Sequence, residues 1–233
     1  MTLPADRADR LDALRGLAIV WMALFHFSFD LNHFGWIRQD FYRDPVWTWQ
    51  RVGIVSLFLF CAGAGQALAV QAGQGAWRFW RRWGQVAACA ALVSIGSANM
   101  FPNSWISFGV LHGMAVMLLL LRLGLARLPQ AVLLGLAVLA IAAPRLVQSP
   151  LFDTRWTNWV GLVTHKPITE DYVPVLPWLG VMLLGFIVTR ARPALWAGAA
   201  PRPLAVLGRW SLSFYMVHQP VLIGALMAVQ FLR

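Results

Sequence analysis

Charge is what this chain has least of. Only 12% of its 233 residues are Asp, Glu, Lys or Arg, about half the share found in a soluble globular domain. With 59% hydrophobic residues and a mean hydropathy of +0.63, that scarcity excludes a soluble protein with a buried core. It implies a polytopic membrane protein instead. Acidic residues are especially few, nine against 19 basic ones. The excess of positive charge is not a nucleic-acid signature, because the arginines are dispersed between apolar spans rather than gathered in a patch. The two cysteines, Cys61 and Cys89, both lie inside apolar stretches, so free thiols are expected and no disulfide framework. No cleavable signal is expected. The leading segment mixes Asp6, Asp9 and Asp12 with arginine, and no small-residue cleavage site follows the apolar run. There is no internal repeat, no low-complexity segment and no extramembrane domain, so residues 1–233 read as one transmembrane domain.

What is there is a series of apolar segments. Seven are near the length that crosses about 30 Å of hydrocarbon: 14–33, 52–72, 84–98, 105–121, 130–144, 174–188 and 211–231. The fold class is therefore all-α, a helical bundle of about seven transmembrane helices. The longest loop, 145–173, has room for a short helix at 156–163. The 13 Trp fit aromatic belts at the membrane surfaces. With the N-terminus inside, the cytoplasmic segments carry Arg7, Arg10, Arg15, Arg78, Arg81, Arg82, Arg122, Arg127, Arg190, Arg192, Arg202 and Arg209. The other side carries Arg38, Arg43, Arg51, Arg145, Arg155, Lys166 and Arg233. This imbalance predicts a cytoplasmic N-terminus. In that frame His26, His112 and His218 fall near the middle of the first, fourth and seventh spans. No histidine lies in an inner loop.

The first span concentrates the polar chemistry. Ten apolar or small residues separate Arg15 from His26, so the two share one helical face roughly 16 Å apart along the axis. Asp30 and His33 continue the stripe at four and seven residues beyond His26. Ionisable groups inside a span are expensive and mark function. His26 with Asp30 reads as a base and its orienting carboxylate, or as a pair that ties helices together. His33 reads as a base reachable from outside, or as an interfacial histidine beside the anchor Trp36. Metal ligation by His26, Asp30 and His33 lacks the usual partner motif on another helix, so no metal is expected.

Other candidates each carry two readings. Arg15 is a phosphate-binding cation at the inner mouth, paired with Asp12 at rest, or a snorkelling topology marker. Arg78, Arg81 and Arg82, interleaved with Trp77, Trp80 and Trp83, hold either a nucleotide diphosphate or anionic lipid headgroups. His112 and His218 line a polar cavity with His26, or are packed hydrogen-bonding residues. Pro220 frees a backbone carbonyl one turn back, which polar neighbours must satisfy. Asp171, in Glu170-Asp171-Tyr172, binds a polar substrate or caps a helix at the interface.

Several blocks resemble the transmembrane acyltransferase superfamily. RLDALRGLAIVWMALFH is similar to the first span of the acyltransferase-three type. HFGW, SFGVLHG, DYVPVLPWLGVMLLG and LGRWSLSFYMVHQP resemble the heparan-α-glucosaminide N-acetyltransferase catalytic-domain family, in particular its small bacterial members. The resemblance spans nearly the whole chain in consistent order. It implies acetyl or acyl transfer across a membrane, from cytoplasmic acyl-CoA to a sugar or other hydroxyl or amine acceptor outside. It makes Arg15 a donor-side cation, His26 and His33 candidate bases, Asp30 their partner and His218 a cavity residue. In the eukaryotic sugar N-acetyltransferases Asn stands at the position of His26, and the reactive histidine aligns with His33. The acyltransferase-three pattern points to His26. No tightly bound cofactor is expected, only acetyl-CoA or another acyl-CoA as co-substrate. The expected partners are membrane lipids, acyl-CoA and a glycan acceptor. Having fewer spans than its relatives, the chain would complete its cavity with a second copy or with lipid. The expected location is a bacterial inner membrane. The competing function is a proton-coupled transporter using an in-membrane His/Asp relay.

Overall fold

The computed structural model describes residues 8–232. Asp6, Arg7 and Arg233, used above for charge and topology, lie outside the described residues. Among the described residues there are eight α-helices and no strand. Three of them, α1 (Asp9–His33), α2 (Pro45–Gln71) and α8 (Ser211–Phe231), are long and apolar enough to cross a membrane by length and composition. Three more, α4 (Val110–Leu123), α5 (Gln130–Leu146) and α6 (Val175–Ala191), are apolar but shorter. The remaining two are α3 (Ala76–Met100) and the eight-residue α7 (Arg202–Arg209). The described residues form two compact units: 8–58 with 194–232, and 59–193. The first half of α2 belongs to one and its second half to the other.

The first unit is built on α1. Asp9 and Asp12 occupy its first turn, where negative charge complements the helix dipole. Its far end closes on Gly35, whose φ of 76° is the left-handed conformation that glycine adopts without strain. The Trp36 N–H donates to the Leu31 carbonyl and the Gly35 N–H to that of Asn32, the double closure of a Schellman motif. Asp44 then starts α2 by accepting from the Val46 N–H at 2.8 Å, with Pro45 at the position where a missing N–H costs nothing. Ile19, Met22, Phe25, Phe41 and Ile54 form the buried cluster, flanked by Trp21, Trp47, Phe214 and Tyr215. The short helix α7 lies directly on α1. Gly16 meets the backbone of Leu204, and Gly208 meets that of Asp12, so closely that a Cβ at either would overlap a carbonyl oxygen. Small residues allow helix backbones to approach in this way.

In the second unit the same device recurs. Gly63 of α2 abuts the Met182 carbonyl, Gly185 of α6 that of Phe60, and Gly180 that of Ala137 on α5. Three sequence expectations are corrected here. The fourth span was expected from residue 105, but α4 begins at Val110. Residues before it form a loop in which Phe108 bridges Tyr172 in parallel and the Ser104 carbonyl accepts from the Glu170 N–H. The helix expected at 156–163 is only a single turn, Asn158–Val160, closed by Gly161 at φ 100°. Where the third span was expected, the helix α3 is longer than that segment and carries the arginine row of 78–82 on its first turns. The amphipathic α7, too short to span and bounded by proline, had no counterpart among the expected segments.

Candidate functional site

The polar centre of the first unit is a pair of imidazoles. The Nδ1 of His26 on α1 lies 2.7 Å from the Nε2 of His218 on α8. The rings are nearly parallel, their centroids 5.0 Å apart. His218 is buried, packed on Phe214, and its Nδ1 lies 2.7 Å from the Tyr215 carbonyl oxygen. Sequence reading placed these two histidines at similar depth, and the fold brings them into contact.

Asp30 takes a different partner from the one its spacing implied. It is only 3% exposed, and its Oδ1 accepts from the Nε2 of Gln219 at 2.7 Å. No hydrogen bond joins it to His26 among the described residues. Residues 218 and 219 of α8 thus serve two positions of α1 one turn apart. Gln219 also lies against His26, and His33 follows Asp30 by three residues on the same helix. Among the described residues, the buried Asp30 Oδ2 and Gln219 Oε1 have no hydrogen-bond partner. Gln219 escaped the sequence reading because its amide carries no charge. Its place beside His218 was the only signal. His33 is exposed at the end of α1.

Toward the start of α1, Arg15 donates from Nη1 to Asp12 Oδ1 at 2.8 Å. Arg209 of α7 joins them, its Nη2 2.6 Å from Asp9 Oδ1 and its Nε 3.5 Å from Asp12 Oδ2. Arg209 was expected only as a topology charge. The face of α1 between Arg15 and His26 is packed, since Ile19 and Met22 belong to the buried cluster. The stripe is therefore a row of side chains and not a channel. A shallow apolar groove of about 190 Å³ reaches His218, lined by Ala23, Phe214, Val217, His218, Val221 and Leu222.

The remaining candidates lie in the second unit. His112 is not at the middle of a span: it is the third residue of α4, because that helix starts late. Its Nδ1 accepts from the Gly109 N–H at 3.2 Å. Its Nε2 lies 3.1 Å from the Ser94 hydroxyl, which itself donates to the Ile106 carbonyl, so Nε2 carries the hydrogen. Asp171 accepts from the Val110 N–H through Oδ2 at 2.7 Å, satisfying one of the free donors of the α4 start. Replacing Asp171 with alanine orphans that N–H and should cost about 1–3 kcal/mol. Thermal unfolding in detergent reads this, with Asp171→Asn much milder because an acceptor oxygen remains. Next to it, burial and then the charge of Asp153 push the Tyr172 phenol upward. It stays protonated and donates to the Asn158 carbonyl at 2.7 Å. Arg78, Arg81 and Arg82 are exposed along α3 with Trp77 and Trp80. Among the described residues no group of three or more His, Cys, Asp or Glu could hold a metal ion.

Apolar helices of spanning length, with a histidine pair and a buried carboxylate between them, define an integral membrane protein. The family model described as "Heparan-alpha-glucosaminide N-acetyltransferase, catalytic" matches residues 7–220, and the chain belongs to that family. At the level of the family it is a membrane acetyltransferase. No curated protein and no solved structure matches the chain.

Proposed function

We propose that this protein moves an acetyl group from cytoplasmic acetyl-CoA to a sugar or other hydroxyl or amine acceptor on the outer face of a bacterial inner membrane. The observation that carries this reading is the imidazole pair of His26 and His218 inside the apolar helices of a chain from an acetyltransferase family. A histidine is the commonest general base near neutral pH. Here it removes the acceptor's proton as the acceptor attacks the thioester carbonyl carbon. The carbon–sulfur bond breaks, and the thiolate of coenzyme A leaves with that proton. Asp30 and Gln219 supply polar groups beside the ring. Arg15 gives positive charge for the donor's phosphates, in exchange for its resting bond to Asp12. Arg78, Arg81 and Arg82 draw the same phosphates or anionic lipid headgroups. His33 stands where the acceptor arrives. Because the Arg15–His26 face is packed, the acyl end approaches the pair from another side, and the apolar groove at His218 offers a route within this unit. His112 and Asp171 are assigned to building the start of α4.

The test is acetyl transfer in proteoliposomes, with radiolabelled acetyl-CoA on the arginine-rich side and a panel of amino sugars and hydroxylated glycans on the other. Labelled product on the far side supports the reading. Substrate-driven proton flux with no consumption of acetyl-CoA would establish a transporter in its place. In the same assay Arg15→Ala should raise the KM for acetyl-CoA about 10- to 100-fold, the loss of one charge-assisted contact, and change kcat less than about 3-fold. An unchanged KM removes Arg15 from the donor site.

A further inference from the structure

Resting on that reading, we infer that His218 is the positioning residue of the site: it fixes the tautomer of His26 so that Nε2, and not Nδ1, is the reacting atom. The hydrogen-bond chain decides this. A backbone carbonyl can only accept, so the Nδ1 of His218, 2.7 Å from the Tyr215 oxygen, bears a hydrogen. In a neutral ring its Nε2 is then an acceptor. The Nδ1 of His26, 2.7 Å from that atom, must donate. A neutral His26 therefore carries its lone pair on Nε2. An unconstrained imidazole prefers the opposite arrangement, with its hydrogen on Nε2, and only the partner of the other nitrogen reverses it.

The fold holds this arrangement in place. His218 is 7% exposed and clamped between Phe214 and His26 with nearly parallel rings. Its Nδ1 is anchored to its own helix three residues back. When His26 Nε2 takes the acceptor's proton, the Nδ1 hydrogen is already directed at the lone pair of His218. The positive charge is shared between two rings, with no ion left alone among apolar side chains. When the thiolate departs with the Nε2 proton, both rings return to their starting state. Sharing of this kind needs no carboxylate on His26, which agrees with Asp30 being bound to Gln219.

The experiment combines a spectroscopic and a kinetic arm on the full chain in detergent or lipid. Nitrogen NMR of isotope-labelled histidine should find wild-type His26 with its hydrogen on Nδ1. His218→Phe, which keeps a flat ring and removes the acceptor, should move that hydrogen to Nε2. It should also lower kcat on the order of 10- to 100-fold, the range seen when an orienting partner is lost, with the KM for acetyl-CoA changed less than about 3-fold. His218→Gln restores an acceptor oxygen near the position of Nε2, and should restore the Nδ1–H tautomer and at least part of the rate. A wild-type His26 with its hydrogen on Nε2, or a tautomer that His218→Phe leaves unchanged, overturns the inference. If the tautomers behave as stated but wild-type protein transfers no acetyl group to any acceptor, the positioning role stands and the acetyl-transfer reading falls. The two failures are thus distinguishable.

Discussion

His26→Ala should reduce acetyl transfer about 10³-fold, within the 10²–10⁴ range that a positioned general base supplies, while His33→Ala should cost less than about 10-fold. His26 is held by another ring in a defined hydrogen bond, and that bond leaves a lone pair at Nε2 for chemistry. His33 is exposed at the helix end. It packs edge-on against Phe34, outside the histidine pair. Transfer measured in proteoliposomes, with both variants checked for expression and for thermal unfolding, gives the comparison. The reverse order would make His33 the base. Wild-type turnover in both variants would remove the histidines from the reaction altogether.

The second large effect is structural. Gly208→Val should destabilise the protein by more than about 3 kcal/mol, the upper end for overpacking, and lower its melting temperature by roughly 10 °C. A Cβ at residue 208 would overlap the backbone oxygen of Asp12 and crowd the nitrogen of Gly16. Neither is the end of a flexible side chain, so the clash can be relieved only by moving α7 away from α1. Gly224→Ala on α8 is the control. Nothing lies within 4 Å of a Cβ there, and alanine favours helix over glycine by up to about 1 kcal/mol. Tryptophan fluorescence during heating in detergent separates the two. If Gly208→Val melts like the wild type, the close approach of α7 to α1 is wrong.

The class of fold was readable because composition alone decides it: apolar runs with so little charge have no other solvent than lipid. The first-span stripe was readable because each polar residue there stands out against its neighbours. What a local pattern cannot give is the partner from elsewhere in the chain. The spacing of His26 and Asp30 offers them to one another, yet the carboxylate binds an amide 189 residues away, and the histidine binds a ring 192 residues away. A side-chain amide N–H is a strong donor for a buried carboxylate, and only packing of α8 on α1 reveals that it is there. The paired state of Arg15 with Asp12 was open to local reading, since three residues along a helix bring side chains together. The late start of α4 was hidden for a different reason. Residues 105–109 are mostly apolar and continue the hydropathy of the span, but their backbone groups are committed to the segment around Tyr172. Helix begins only where Asp171 receives the first free N–H.

The eight-residue α7 has a role out of proportion to its size. Too short to hold a helix by itself, it is kept helical by its seat on α1, and a single residue, Trp210, separates it from α8. Because a helix turns about 100° per residue, the setting of Gly208 on Asp12 also dictates the azimuth at which α8 begins. One residue inserted or deleted at that junction would swing His218 about a quarter-turn off its mark without altering any group of the site itself. The clasp of two glycines at one end of the unit is in this sense the dial that aims the imidazole at the other.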